Sequence, residues 1–219
     1  AYMRSVGLSS PATINAGAIE SLLGFLDPDG PLYARLEMLA PTHTAAIADG
    51  LLEAIGLGYN PEKTARLFEN LMGGGLTDAL RMTRTAQLYA YREATRANFL
   101  ANSDVVKGWV WWTALDNSVC MSCVAQHGTV HPLSEKLDDH YNGRCVALPY
   151  MGDSVPEVSG EEWFNRQSEE QQKQMMGESK YAAWKDGKFS FSDLSTQHED
   201  GVYGLMRGET SLKDLLGND

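Results

Sequence analysis

The chain has 219 residues, 43% of them hydrophobic and 21% charged, with 21 glycines and 8 prolines. That composition excludes a disordered or collagen-like polymer, and the length suffices to bury a real core in one or two domains. A formal net charge of −11, from 18 basic and 29 acidic side chains, argues against binding nucleic acid by bulk charge, which relies on neutralising phosphates.

No apolar run approaches the roughly 20 residues of a membrane span. The opening Ala1-Tyr2-Met3-Arg4 lacks the charged head and apolar stretch of a signal peptide. Charge is unevenly spread. Residues 77–107 carry +2, while residues 153–219 carry −7.

In chain order, Ile14, Ala18, Leu22 and Phe25 recur at helical spacing, so a helix is expected over 13–26, ended by Asp27-Pro28-Asp29-Gly30-Pro31. A short helix follows from Leu32 to Leu39, stopped by Pro41. Thr42 or Thr44 is expected to cap the next helix, whose apolar stripe is Ile47, Leu51, Leu52 and Ile55. Asn60-Pro61 pairs a capping side chain with proline at the first helical position. The helix it opens presents Ala65, Leu67, Phe68 and Leu71 and should stop at Gly73-Gly74-Gly75.

Thr77 is read as the cap of a long helix from Asp78 to about Ala101, with small side chains at Ala79, Ala86, Ala90 and Ala97 and a larger Met82 on the same face. Arg81 and Arg84 share a face of it, as do Arg92 and Arg96. Next, Gly108-Trp109-Val110-Trp111-Trp112-Thr113 is aromatic and β-branched, which predicts a strand. Its alternation puts Trp109 and Trp111 on one face and Trp112 on the other. Thr129–His131 and Cys145–Pro149 read as short strands. Helices are expected over 161–167, 169–176 and 179–185, and again at 211–216. The polar, glycine-punctuated stretch 190–204 predicts no clear element.

All three cysteines and three of the five histidines fall within residues 120–145, as Cys120-Met121-Ser122-Cys123, His127, His131, His140 and Cys145. Two cysteines two residues apart can reach one tetrahedral ion from a tight turn, and a later His-Cys pair closes the shell. The expected ligands are Cys120, Cys123, His140 and Cys145, holding a structural Zn2+, with His127 as the rival fourth ligand. An odd, metal-spaced cysteine count argues against a disulfide framework and for a reducing compartment.

Catalytic zinc patterns are missing. There is no His-x-Glu ahead of Pro-Cys-x2-Cys and no His-Glu-x2-His. An HNH-type nuclease would pair such a cage with His127 or His131.

These residues resemble the phage Mu protein F-like head morphogenesis proteins, also called minor capsid proteins. The pattern runs from Arg84-Thr85 through Tyr91-Arg92-Glu93-Ala94-Thr95-Arg96 and the aromatic strand ending at Leu115-Asp116. It continues through Cys120-x2-Cys123, His127-Gly128, His140, Arg144-Cys145 and Pro149. Gly143 stands where family members usually carry a further cysteine. Residues 42–190 are covered, the middle most specifically.

The resemblance implies an α+β, mostly helical protein. Its parts would be an N-terminal helical arm (1–41), a Mu F-like domain (42–152) and an acidic helical tail (153–219). N-terminal helices and one long arginine-bearing helix would precede a small zinc-stapled β-hairpin region. The implied role is a structural component of the virion, made in the bacterial cytoplasm and associated with the portal protein, the major capsid or other head proteins. It would act in head assembly, DNA packaging or DNA delivery, with Arg81, Arg84, Arg92 and Arg96 available to packaged DNA. No membrane partner, catalytic residue or enzyme activity is expected. The alternative is a phage-associated zinc-binding nuclease or toxin using the same cluster.

Overall fold

A computed structural model describes residues 24, 26–69, 71, 75–152 and 158–217. Among the described residues the chain is mixed α and β, with nine α-helices and two small antiparallel sheets. It divides into two compact units: a helical one up to Asp104 that also takes Tyr141–Gly143 and Gly201–Gly204, and a second one formed by Val105–His140, Arg144–Asp200 and Leu205–Asp219.

The helical unit contains α1 (Pro31–Leu39), α2 (Thr44–Gly56), α3 (Pro61–Phe68) and α4 (Gly75–Ala101). Asn60 caps α3 as its spacing predicts: the side chain accepts a hydrogen bond from the Lys63 N–H at 2.8 Å, and Pro61 is the first helical residue. The stripe of α2 is buried at Ile47 and Leu51, and it packs with Leu32, Leu36, Phe68, Ala79, Met82 and Ala86. Small residues on α4 thus face the other helices, where a bulkier side chain would hold the axes apart.

Several expectations need correcting. Thr77 does not cap α4, which begins at Gly75. Neither Thr42 nor Thr44 caps α2: the cap position is His43, without a side-chain bond, and Thr44 turns its hydroxyl back to the Ala40 carbonyl at 3.1 Å. Leu67 is exposed, because α3 is only eight residues long and its buried face is filled by Thr64, Ala65 and Phe68. The helix expected over 13–26 lies outside the described residues, apart from Gly24 and Leu26, which are both helical.

Two of the four arginines on α4 have partners inside this unit. Arg92 donates to the Gly143 carbonyl at 3.0 Å, and Arg81 lies over the Tyr141 ring at 4.6 Å. The Thr85 hydroxyl accepts the Asn142 N–H at 3.2 Å. Asn142 has a positive φ of 60°, a conformation asparagine adopts more readily than most residues.

The second unit is built around a three-stranded antiparallel sheet of order β2-β1-β3, from β1 (Gly108–Trp112), β2 (Val130–His131) and β3 (Val146–Tyr150). The β element is therefore wider than a hairpin. Trp109 and Trp111 share a buried face, and Trp112 on the other face is 38% exposed, as the alternation predicts. Register sets Trp109 opposite His131, whose ring stacks on the indole at 4.3 Å.

Between β1 and β2 runs α5 (Met121–Gln126). After β3 come α6 (Gly160–Asn165), α7 (Glu169–Met176), α8 (Glu178–Lys185), a 3₁₀ turn at Phe191–Leu194, a hairpin of β4 (Ser195–Asp200) and β5 (Gly204–Glu209), and α9 (Leu212–Leu216). Ser159 with Glu162, and Ser168 with Gln171, form capping boxes that fix where α6 and α7 begin.

The aromatic residues of this stretch form a core of their own on α5. Phe164, Tyr181, Phe191 and Leu194 bury Met121 and Val124, with Trp163, Trp184 and Phe189 at the margin. The closest approach is at Gly160, whose N–H donates to the His127 carbonyl at 3.2 Å, and where an added Cβ would fall 1.7 Å from the Val124 carbonyl oxygen. Backbone on both sides leaves nothing to yield cheaply. Gly160→Ala should therefore destabilise the protein by at least the ~1–3 kcal/mol typical of overpacking, read as a lower urea midpoint. Gly187→Ala, with nothing within 4 Å of its Cβ but a φ of 70°, separates conformational strain from this clash.

Candidate metal centre

The site forms where two segments of the second unit meet. Cys120 is the N-cap of α5, so the pair sits on a helix start and not in the tight turn that its spacing suggests. One helical turn brings Cys123 back beside it, and the Cys123 N–H points at the Cys120 sulfur at 3.4 Å. The first turn of the helix is held from the β4–β5 hairpin. The Met121 N–H donates to Glu209 Oε1 at 2.7 Å, and the Ser122 and Ser195 hydroxyls meet at 2.8 Å.

The second segment is 138–145. His140 Nε2 lies 3.1 Å from Cys120 Sγ and 3.2 Å from Cys123 Sγ. Cys123, Asp139 and Cys145 form a second close group that shares the Cys123 sulfur. Cys120, Cys123, His140 and Cys145 are thus brought together, and this cluster can hold a metal ion. A tetrahedral ion with metal–sulfur bonds of about 2.3 Å spaces its ligand atoms roughly 3.5–3.8 Å apart. Opening the sulfur–imidazole contacts by about half an ångström would reach that spacing.

The two thiols of α5 differ in acidity. Cys120 is held down to about 5, chiefly because Cys123 donates to its sulfur and His140 lies beside it. Cys123 is pushed far up, because its proton is held by Cys120, and because Cys145, burial and Asp139 all disfavour a second negative charge. A cation at the shared sulfur would reverse that preference.

Around these four residues the structure adds groups that the spacing did not reveal. The Thr113 hydroxyl lies 3.0 Å from Cys145 Sγ. Asp139 accepts the His140 N–H at 2.9 Å and the Cys145 N–H at 3.2 Å. Asp138, also buried, is bonded by Arg207 Nε at 3.1 Å and by the Gln197 amide. The guanidinium of Arg144 clasps Asp116 with two bonds of 2.7 Å, joining the residue before Cys145 to the turn before Cys120. The adjacent Asp138-Asp139-His140 was the one local signal for these groups, since acidic residues beside a ligand histidine often orient it.

His127 is not brought to the cluster. It is buried, its Nδ1 accepts the Thr113 N–H at 3.1 Å, and its ring lies against Trp112. Burial lowers its basicity below the usual imidazole range. His131 is equally engaged: Nδ1 pairs with Glu135 at 2.9 Å and Nε2 with the Thr129 hydroxyl at 2.8 Å, over the face of Trp109. His43 and His198 are exposed.

No protein-family model matches this chain, nor does any curated protein or solved structure.

Two outcomes follow from the geometry. Elemental analysis of protein purified with zinc should give roughly one ion per chain, as four ligands make one tetrahedral shell. Cys120→Ser, Cys123→Ser or Cys145→Ser should lose most of it, while His131→Ala keeps it. The second concerns acid. Arg144 depresses the Asp116 carboxyl to about 2, so its contribution is complete above the ordinary carboxylate value near 4 and fades as pH falls toward 2. The stability difference between wild type and Asp116→Asn should therefore shrink across that window in melts taken at stepped pH.

Proposed function

We propose that this chain is a structural protein of a bacteriophage head, of the minor capsid or head morphogenesis kind, and that its Cys/His cluster is a structural zinc site. The observation that carries the metal reading is a pair of close groups, Cys120 with Cys123 and His140, and Cys123 with Asp139 and Cys145, that share the Cys123 sulfur. Three thiolates and one imidazole suit zinc, which is borderline-soft, inert to redox and content with a tetrahedron. Such a shell is complete, with no position left for a substrate. The ion would be held by α5 on one side and by the 139–145 segment on the other, supplying folding free energy.

The virion reading comes from the resemblance noted in the sequence, and what supports it is that residues of that pattern have structural work. Asp116 and Arg144 clasp each other across the cluster, and Thr85 and Arg92 hold the backbone of Asn142 and Gly143. Partners in this reading are the portal protein, the major capsid or other head proteins. Contact with packaged DNA would in this reading use Arg81, Arg84, Arg92 and Arg96, of which Arg81 is exposed and the others are half-buried. The protein acts in head assembly, packaging or delivery, and catalyses nothing.

The nuclease or toxin alternative needs a free histidine near the cage, and His127 and His131 both have their ring nitrogens or faces engaged.

Mass spectrometry of purified particles should find the chain in the virion, and its absence there sinks the structural reading. Plasmid DNA incubated with the protein and magnesium or manganese should stay intact. Cleavage that disappears in His131→Ala would establish the nuclease instead.

A further inference from the structure

We propose that Asp139 is the positioning residue of the metal centre, a buried carboxylate that sets the backbone of His140 and Cys145 before an ion arrives. The proposal rests on the reading of the cluster as a metal site. Asp139 is 4% exposed overall, and its side chain is 1% exposed. A carboxylate taken that far out of water is unfavourable unless hydrogen bonds compensate it. Here the compensation comes from the ligand residues themselves. Oδ1 accepts the N–H of His140 at 2.9 Å, and Oδ2 accepts the N–H of Cys145 at 3.2 Å. Cys123 Sγ lies 3.5 Å from Oδ1. One side chain therefore touches three of the four ligand residues, two of them through the backbone.

The consequence is geometric. His140 and Cys145 are five positions apart on a segment without helix or strand until β3 begins at Val146. Left to itself, such a segment must lose conformational entropy when the ion binds. Each residue whose N–H is tied to Asp139 has part of that cost met in advance, because the carboxylate fixes the separation of the two N–H groups. Asp139 is itself fixed from the neighbouring position. Asp138 is held by Arg207 and Gln197 of the β4–β5 hairpin, and Arg207 lies over the Trp111 ring at 5.8 Å. The hairpin thus braces the late segment, as Glu209 of the same hairpin braces α5.

Asp139 also stands in a close group with Cys123 and Cys145, so the rival role is that of a ligand in place of His140. Three sulfurs and an imidazole already complete a tetrahedron, and both carboxylate oxygens are occupied by backbone donors. We therefore assign Asp139 to positioning. Asp139→Asn separates the two roles. The amide keeps the shape and one acceptor oxygen, but it turns an NH2 group toward one of the two N–H donors and so loses that bond.

The test is Co2+ titration of the full chain, wild type beside Asp139→Asn and His140→Ala, followed by absorption and displaced with zinc. The expected result is a loss of affinity of about 10–100-fold in Asp139→Asn, the size typical of groups that orient metal ligands. Its ligand-field bands should match wild type, and its melting temperature at the same metal excess should fall, because stabilisation by a bound ion follows the ratio of metal to Kd. His140→Ala should shift the bands, because the donor set changes. A variant that does not fold without metal is refolded in graded Co2+, which yields the same affinity.

Wild-type affinity in Asp139→Asn overturns the proposal and leaves the metal site standing. A band shift in Asp139→Asn like that of His140→Ala makes Asp139 a ligand and also overturns it. Wild-type protein that binds neither Co2+ nor Zn2+ overturns the metal reading, and the proposal with it.

Discussion

Three sulfurs, a half-buried imidazole and a buried carboxylate gathered into one small volume form an arrangement that proton sharing alone holds weakly. In the structure the stress shows in the α5 pair, where Cys120 gives up its proton readily and Cys123 resists doing so. A buried cluster with several potential negative charges is unfavourable without compensation, and a divalent cation at the shared Cys123 sulfur compensates all of them together. The path of the chain from β1 to β3 depends on that convergence. The sheet strands are short, with β2 only two residues long, and both connections between them, 113–129 and 132–145, carry the cluster residues.

The supports around the cluster are of different kinds and act at different points. The Asp116–Arg144 clasp is half exposed and joins the two approaches to the site from outside. From inside, the Thr113 hydroxyl meets the Cys145 sulfur, while the Thr113 N–H is given to His127. His127 then takes part by backbone as well, since its carbonyl receives the Gly160 N–H and so ties the end of α5 to the start of α6. A histidine that spacing offered as a ligand thus serves as a packing and hydrogen-bonding residue one layer away. Burial disfavours its charged form, which suits a ring that accepts an N–H and lies against Trp112.

Much of this was legible in the residues, for reasons that can be named. Asn60-Pro61 states a helix start almost without tertiary help, because cap and fixed φ act locally. The long α4 and the alternation of Trp109, Trp111 and Trp112 follow from period alone. The ligand set followed from spacing, although the expected turn proved to be the first turn of a helix, which puts positions one and four equally close. What stayed hidden was non-local. The β4–β5 hairpin has a sequence of Ser, Thr, Gln, His, Glu and Asp on its first strand, with no apolar alternation to mark it. It forms because its side chains reach Asp138, Met121 and Ser122 elsewhere in the same unit. Thr113 gave no signal, since its partner is a sulfur brought near by the fold, and Asp139 was marked only by its place beside His140. The aromatic residues of the tail, Phe164, Tyr181 and Phe191 among them, read as side chains that need a core or a neighbour to bury them, but nothing in the sequence named α5 as that core.

Gly143 shows how the resemblance and the geometry bear on each other. The pattern that the chain resembles usually carries a cysteine there, two residues before Cys145. In this chain the position is buried, and what it contributes is a carbonyl that accepts Arg92 at 3.0 Å. Its neighbours Tyr141 and Asn142 make their contacts with Arg81 and Thr85 in the same way. Three of the four residues between the ligands, Tyr141 to Gly143, therefore serve the helical unit, while Arg144 and the two ligands serve the second. In the proposed shell of Cys120, Cys123, His140 and Cys145, four donors are present without a thiol at 143.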